Sequence, residues 1–121
     1  MMRAALLCFV IALSAVSSKA ESRNSGPDCS GKWPTTMALV HLKNASLIDP
    51  AQVNSAKTKT TRMASQQVGD DLWHQVYDVE FTLKSGESIE AIAVHNASDE
   101  ECSMTGVEVF VVSMKLNAQG E

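Results

Sequence analysis

The stretch from Leu72 to Leu116 narrows the possible folds most, because it carries three consecutive runs rich in β-branched and aromatic residues, divided by turn residues. The first run alternates. Tyr77, Val79, Phe81 and Leu83 share one side, and His74, Asp78, Glu80 and Thr82 share the other. Lys84-Ser85-Gly86 then predicts a three-residue hairpin loop, with Gly86 in the left-handed region that glycine reaches at little cost. A loop of that length preserves side-chain parity, so Ile89, Ala91 and Ala93 fall on the same side as Val79 and Phe81. A two-residue Ser-Gly loop would instead set Phe81 opposite Glu90. In the last run, Val107, Val109 and Val111 occupy one face and Phe110, Val112, Met114 and Leu116 the other. Apolar residues on both faces predict an interior strand, or one covered on its second side.

Upstream, the threonine-rich run from Lys57 to Ser65 predicts a fourth strand with a basic outer face, its lysines discouraging edge-to-edge association. Gln66 to Asp71 is read as the connecting loop, with Gly69 as its turning residue. The apolar segment from Met37 to Ile48 can form a helical stripe of Met37, Leu39, Val40, Leu42 and Ala45, with Thr35 or Thr36 as N-cap. The same residues can alternate as a strand; helix is preferred because the sheet needs a cover for its apolar face. Asp49-Pro50 predicts a second, short helical turn ending by Ser55, with aspartate at the cap and proline in the first position. The fold class expected is α+β, one main helix packed on a four-stranded antiparallel meander with one disulfide.

The first twenty residues have the form of an export signal: Met1-Met2-Arg3, the apolar run Ala4 to Val16, then Ser18-Lys19-Ala20 as a cleavage site. The expected organisation is a signal peptide over 1–20, a flexible N-terminal arm over 21–32 and one domain over 33–121. Cleavage leaves eight basic residues against fourteen acidic ones, a charge near −6. That balance argues against nucleic acid and against an anionic membrane surface as partners. The expected location is outside the cytoplasm, with no membrane insertion after cleavage. Two cysteines survive, Cys29 and Cys102, and in an oxidising compartment such a pair predicts a disulfide.

No sequence motif carries a reaction. The three histidines, His41, His74 and His95, form no close pair of metal-ligand spacing, and no Gly-x-Ser-x-Gly occurs. Glu80 and Glu90 fall near one another across the hairpin but read as surface charges rather than an acid/base pair. The expectation is a monomer that is not an enzyme, with no cofactor and no metal, binding a protein partner. Asn44-Ala-Ser and Asn96-Ala-Ser satisfy the glycosylation sequon, which matters only in a eukaryotic secretory protein. The partner-binding candidates are Gln66, Gln67, Asp70, Asp71 and Trp73, an amide-rich acidic tip beside an aromatic anchor, with Asp99, Glu100 and Glu101 as a second set.

Two resemblances extend this reading. A helix followed by an antiparallel meander resembles the cystatin-type inhibitors, in which a Gln-x-Val-x-Gly hairpin enters a protease cleft. Here Gln66-Gln-Val-Gly-Asp70 occupies the corresponding hairpin, with glycine directly after valine. The segments Ala38 to Ala45, Lys57 to Thr60 and Ala97 to Ser113 are similar to small exported proteins of Gram-negative bacteria that look like periplasmic immunity or inhibitor proteins. Such proteins are encoded beside secreted toxins, notably type VI secretion effectors, and the resemblance implies a periplasmic location, or an extracellular one if the source is not a Gram-negative bacterium. The implied function is to bind and block a cell-envelope toxin or protease; the alternative is a small-ligand-binding or structural envelope protein.

Overall fold

The computed structural model describes residues 26–113. The expected signal peptide, the part of the expected arm before Gly26, and Met114 and Leu116 lie outside the described residues. One α-helix, α1 (Trp33–Asn44), precedes four strands, β1 (Lys59–Gly69), β2 (Leu72–Thr82), β3 (Ser88–Ala97) and β4 (Glu108–Ser113). The strands form one antiparallel sheet in chain order, β1-β2-β3-β4, and α1 lies mainly across β3 on one face. This is the expected α+β architecture, a helix on a four-stranded meander. No described helix is long and apolar enough to cross a membrane.

Helix α1 starts earlier than the threonines suggest. Pro34 sits in the first turn, where its missing N–H is harmless, and Lys32 occupies the cap without a side-chain bond. Thr35 is therefore inside the helix rather than capping it. Its Oγ1 accepts from the Gly31 N–H at 3.1 Å and meets Thr60 Oγ1 at 2.8 Å, tying the helix to β1. The buried line is Pro34, Ala38 and Leu42, whereas Val40 and Ala45 of the expected stripe face outward and Met37 and Leu39 are half-buried. The segment is apolar almost all round, so periodicity does not select a face. Close approach does: the small Ala38 packs in one core with Ala91 and Ala93 of β3. Ser46 ends the helix at φ 58, with Leu47 N–H reaching Leu42 O at 2.9 Å and Ser46 N–H reaching Lys43 O at 2.9 Å.

Asp49 caps the 3-10 turn Pro50–Gln52 as its sequence predicts, accepting from the Ala51 N–H at 3.0 Å. A further 3-10 turn, Ser55–Lys57, leads into β1. Between the two turns the chain is stitched to the end of β2, by the Val53–Leu83 bridge and by Asn54 N–H to Thr82 O at 2.8 Å.

The β2–β3 hairpin has the expected three-residue loop. Leu83 N–H bonds Glu87 O at 2.7 Å, and Gly86 adopts φ 92. Parity is kept, with Phe81 opposite Ile89, Val79 opposite Ala91 and Tyr77 opposite Ala93. Tyr77, Val79, Phe81, Ala91, Ala93 and Ala97 are buried beneath α1, together with Cys29 and Val107. Cys29 and Cys102 form the expected disulfide, with Cα atoms 5.8 Å apart.

Two strand expectations need correction. Strand β1 continues through Gln66, Gln67 and Val68 to Gly69, so the loop is only Asp70-Asp71, and the left-handed residue is Asp71 at φ 51, not Gly69. The added strand length includes an irregularity at Val68, between the pairs Gln67–Trp73 and Gly69–Leu72. Strand β4, apolar on both faces, is an edge strand rather than an interior one, with Phe110, Val111 and Val112 exposed. Sheet order follows chain order, which puts the last strand of a meander at an edge whatever its composition.

Candidate functional site

The fold brings two separated acidic segments together at one end of the sheet. The β1–β2 turn presents Asp70 and Asp71, and the loop after β3 presents Asp99, Glu100 and Glu101; all five are exposed. Asp71 Oδ1 accepts from the Asp99 N–H at 2.8 Å across this junction. The Asp99 carboxyl is held above the ordinary aspartate range, first by a hydrogen bond shared with Asp71, then by slight desolvation and by the charges of Asp71 and Glu100. The loop is rigidly mounted. Ser98, buried, accepts at Oγ from the Glu101 N–H at 3.0 Å, and Cys102 joins the chain to Cys29. A compact acidic surface of this kind is complementary to a cationic protein surface.

The other predicted site residues are placed differently. Gln66 and Gln67 are exposed but lie along β1, paired with His74 and Trp73, so they flank the tip rather than forming it. Trp73 is half-buried on the helix side, with the Gly26 backbone against its ring, and its buried Nε1–H has no partner among the described residues. Gly26 adopts φ 78, and a Cβ there would stand 2.5 Å from Trp73 Cδ2. Gly26→Ala is therefore expected to destabilise the protein by about 1–3 kcal/mol through ring displacement and backbone strain. Urea denaturation checks the cost, and loss of the tryptophan signal in near-ultraviolet circular dichroism checks the cause.

Beneath this end lies a buried polar network that single-residue patterning does not reveal. Gln75 Nε2 donates to Pro27 O at 2.7 Å and to Ser65 Oγ at 3.1 Å. Its Oε1 accepts from Tyr77 OH at 2.7 Å and from His95 Nε2 at 3.2 Å, which requires the Nε2–H tautomer. Tyr77 OH in turn accepts from the Cys29 N–H at 2.8 Å. The network ties the N-terminal arm and the disulfide to the middle of the sheet. Burial lowers the His95 pKa, opposed in part by hydrogen bonding to the Cys102 main chain. Burial likewise raises the Tyr77 pKa. One clue to this network is in the chain: Gln75 shares the parity of Tyr77, Val79 and Phe81, so the alternation already sends it inward.

The histidines do not converge. His41 is exposed on α1, His74 is exposed with Nδ1 bonded to Asn96 Oδ1 at 2.7 Å, and His95 is interior. Among the described residues no group of three or more His, Cys, Asp or Glu is placed to hold a metal ion. Glu80 and Glu90 do stand opposite each other, on the sheet face away from α1. Compared with protein-family models, curated proteins and solved structures, the chain matches none.

Proposed function

We propose that this chain is an exported binding protein that blocks a protein partner in the cell envelope, a secreted toxin or a protease, as an immunity or inhibitor protein does. The observation that carries the reading is the convergence of Asp70 and Asp71 with Asp99, Glu100 and Glu101 on a mounted, exposed end of the sheet. Like charges gathered on one surface repel one another in the free protein, and a cationic partner relieves that repulsion on docking. Gln66 and Gln67 supply hydrogen-bonding amides beside the tip, and Val68, 52% exposed, supplies an apolar contact. The slender β1–β2 hairpin suits entry into an enzyme cleft.

The test is capture of a partner from a periplasmic extract by the disulfide-bonded protein, then co-expression with the enzyme encoded by the neighbouring gene. Protection of the cells is expected. Neutralising Asp70, Asp71, Asp99, Glu100 and Glu101 together to amides is expected to weaken capture at least tenfold, mainly at low salt. Survival no better than without the protein rejects the immunity role.

A second reading, a small-ligand carrier, has one observation in its favour. An open groove of about 490 Å³ runs between α1 and β1, lined by Leu39, Val53, Phe81 and the hydroxyl-bearing Thr35, Thr58 and Thr60. Ligand-induced thermal shifts that are lost on Leu39→Trp would favour it over a protein partner.

A further inference from the structure

The sheet face opposite α1 has a pattern of its own. Strand register places Thr61, Asp78, Ile92 and Phe110 in one cross-strand row and Ala64, Val76, Val94 and Glu108 in the next. Lys59, Glu80 and Glu90 stand in the row beyond Asp78 and Ile92. Val76, Ile92 and Val94 are half-buried and Phe110 is 53% exposed, so these four form an apolar patch that no described element covers. Asp78, Glu80 and Glu90 border it toward the β2–β3 hairpin, and Glu108 borders it at the β4 edge.

We propose that this open face is a docking surface for a cationic amphipathic helix of a partner protein. A sheet with one apolar face covered by a helix leaves the same packing solution for its second face. Four strands at the usual spacing span about 14 Å, the length of about ten helical residues. The apolar stripe of such a helix seats on Val76, Ile92, Val94 and Phe110. Its lysines or arginines, along one flank, meet Asp78, Glu80 and Glu90. The charge of the face selects this occupant: Glu80 and Glu90 are directly opposite one another, an arrangement that destabilises a sheet. Lys59 stands opposite Glu80 alone, so Asp78 and Glu90 keep a repulsion that a further cation removes. Glu90 records the crowding. Its carboxyl titrates above the ordinary glutamate range, first because of a hydrogen bond shared with Asp78, then because of the charge of Asp78, with Glu80 adding to it. The same carboxylates disfavour an anionic membrane as occupant. This face is separate from the acidic end, and the inference does not depend on the partner being an enzyme.

The experiment uses the full disulfide-bonded protein and two peptides of about fourteen residues, long enough to cross the sheet as a helix. One is a lysine/leucine amphipathic peptide and the other its glutamate/leucine counterpart. Nuclear magnetic resonance titration with the lysine peptide is expected to shift amides at Val76, Asp78, Glu90, Ile92, Val94 and Phe110, while the glutamate peptide leaves them unmoved. The Asp78→Asn/Glu90→Gln variant is expected to bind about fivefold more weakly and yet melt no lower than the parent, because it loses a repulsion. Phe110→Ser is expected to weaken binding as well, without changing its salt dependence. Shifts confined to the acidic end, equal response to both peptides, or unchanged affinity in the double variant would overturn the proposal. Because no native partner is used, these outcomes are independent of the capture experiment.

Discussion

Replacing Cys29 and Cys102 together by serine is expected to lower the unfolding free energy by about 4 kcal/mol. The bridge joins residues 73 apart, and closing a loop of that size removes about 4 kcal/mol of chain entropy from the unfolded state, within the roughly 2–5 kcal/mol lost when small exported domains lose a native disulfide. A domain of this size has only about 5–15 kcal/mol in total. The expected result is a transition displaced downward by about 15–30 °C, read by thermal and urea denaturation of the oxidised parent, the reduced parent and the double variant. The reduced parent and the variant should coincide. The bridge also sets local geometry: Cys29 is buried with its N–H on Tyr77 OH, and Cys102 closes the loop that carries Asp99, Glu100 and Glu101. Hydrogen exchange at those loop amides and at Cys29 should therefore accelerate in the variant beyond what global destabilisation explains. A loss under about 1 kcal/mol would mean that the hydrogen-bonded arm holds itself in place without the covalent link.

How far such features can be read from the chain depends on whether they are local. The β2–β3 hairpin was legible because period-two alternation and one glycine together determine loop length, parity and register. The Asp49 cap was legible for the same reason: its donor lies two residues away. The disulfide needed only the count of cysteines left by the expected cleavage and the expectation of an oxidising compartment. Where tertiary packing chooses among equivalent local options, legibility fails. Helix α1 has apolar residues on most sides, and contact with the small residues of β3 decides which face is buried. Strand β4 has interior composition but occupies an edge, because topology, not hydropathy, assigns edges. The candidate surface divides in the same way. The acidic residues of both segments were visible as composition, but their meeting through Asp71 and Asp99, which are 28 residues apart, is a product of register. The carboxylates opposed on the outer face were visible only as the Glu80–Glu90 pair, and Asp78 joined them through a diagonal contact.

Gln75→Leu tests the one buried feature whose loss should rival that of the disulfide. The substitution keeps approximate volume and removes both acceptor and donor. It leaves Tyr77 OH and His95 Nε2–H without their acceptor, whereas Pro27 O keeps the Arg62 guanidinium N–H at 2.9 Å. An unsatisfied buried group costs about 1–3 kcal/mol, so a loss of about 3 kcal/mol or more is expected at neutral pH. Urea denaturation measures it, and a value below about 1 kcal/mol would mean that water replaces the amide. The same network predicts how stability changes with acidity. His95 has its pKa lowered in the folded state by burial, below the 6.5 of an exposed imidazole. The folded protein therefore binds this proton less readily than the unfolded chain. Stability from this site is complete above pH 6.5, falls as the pH drops below that value, and is fully lost once the pH passes the folded pKa. The carboxyls of Glu90 and Asp99 are shifted the other way, raised from 4.5 and 3.8, so their protonation on acidification favours the folded state and contributes no decline. A decline beginning just below pH 6.5 thus belongs to His95. It should be absent in His95→Gln, which keeps an amide donor for Gln75 and cannot titrate. Persistence of the same decline in that variant would assign the acid sensitivity to another group.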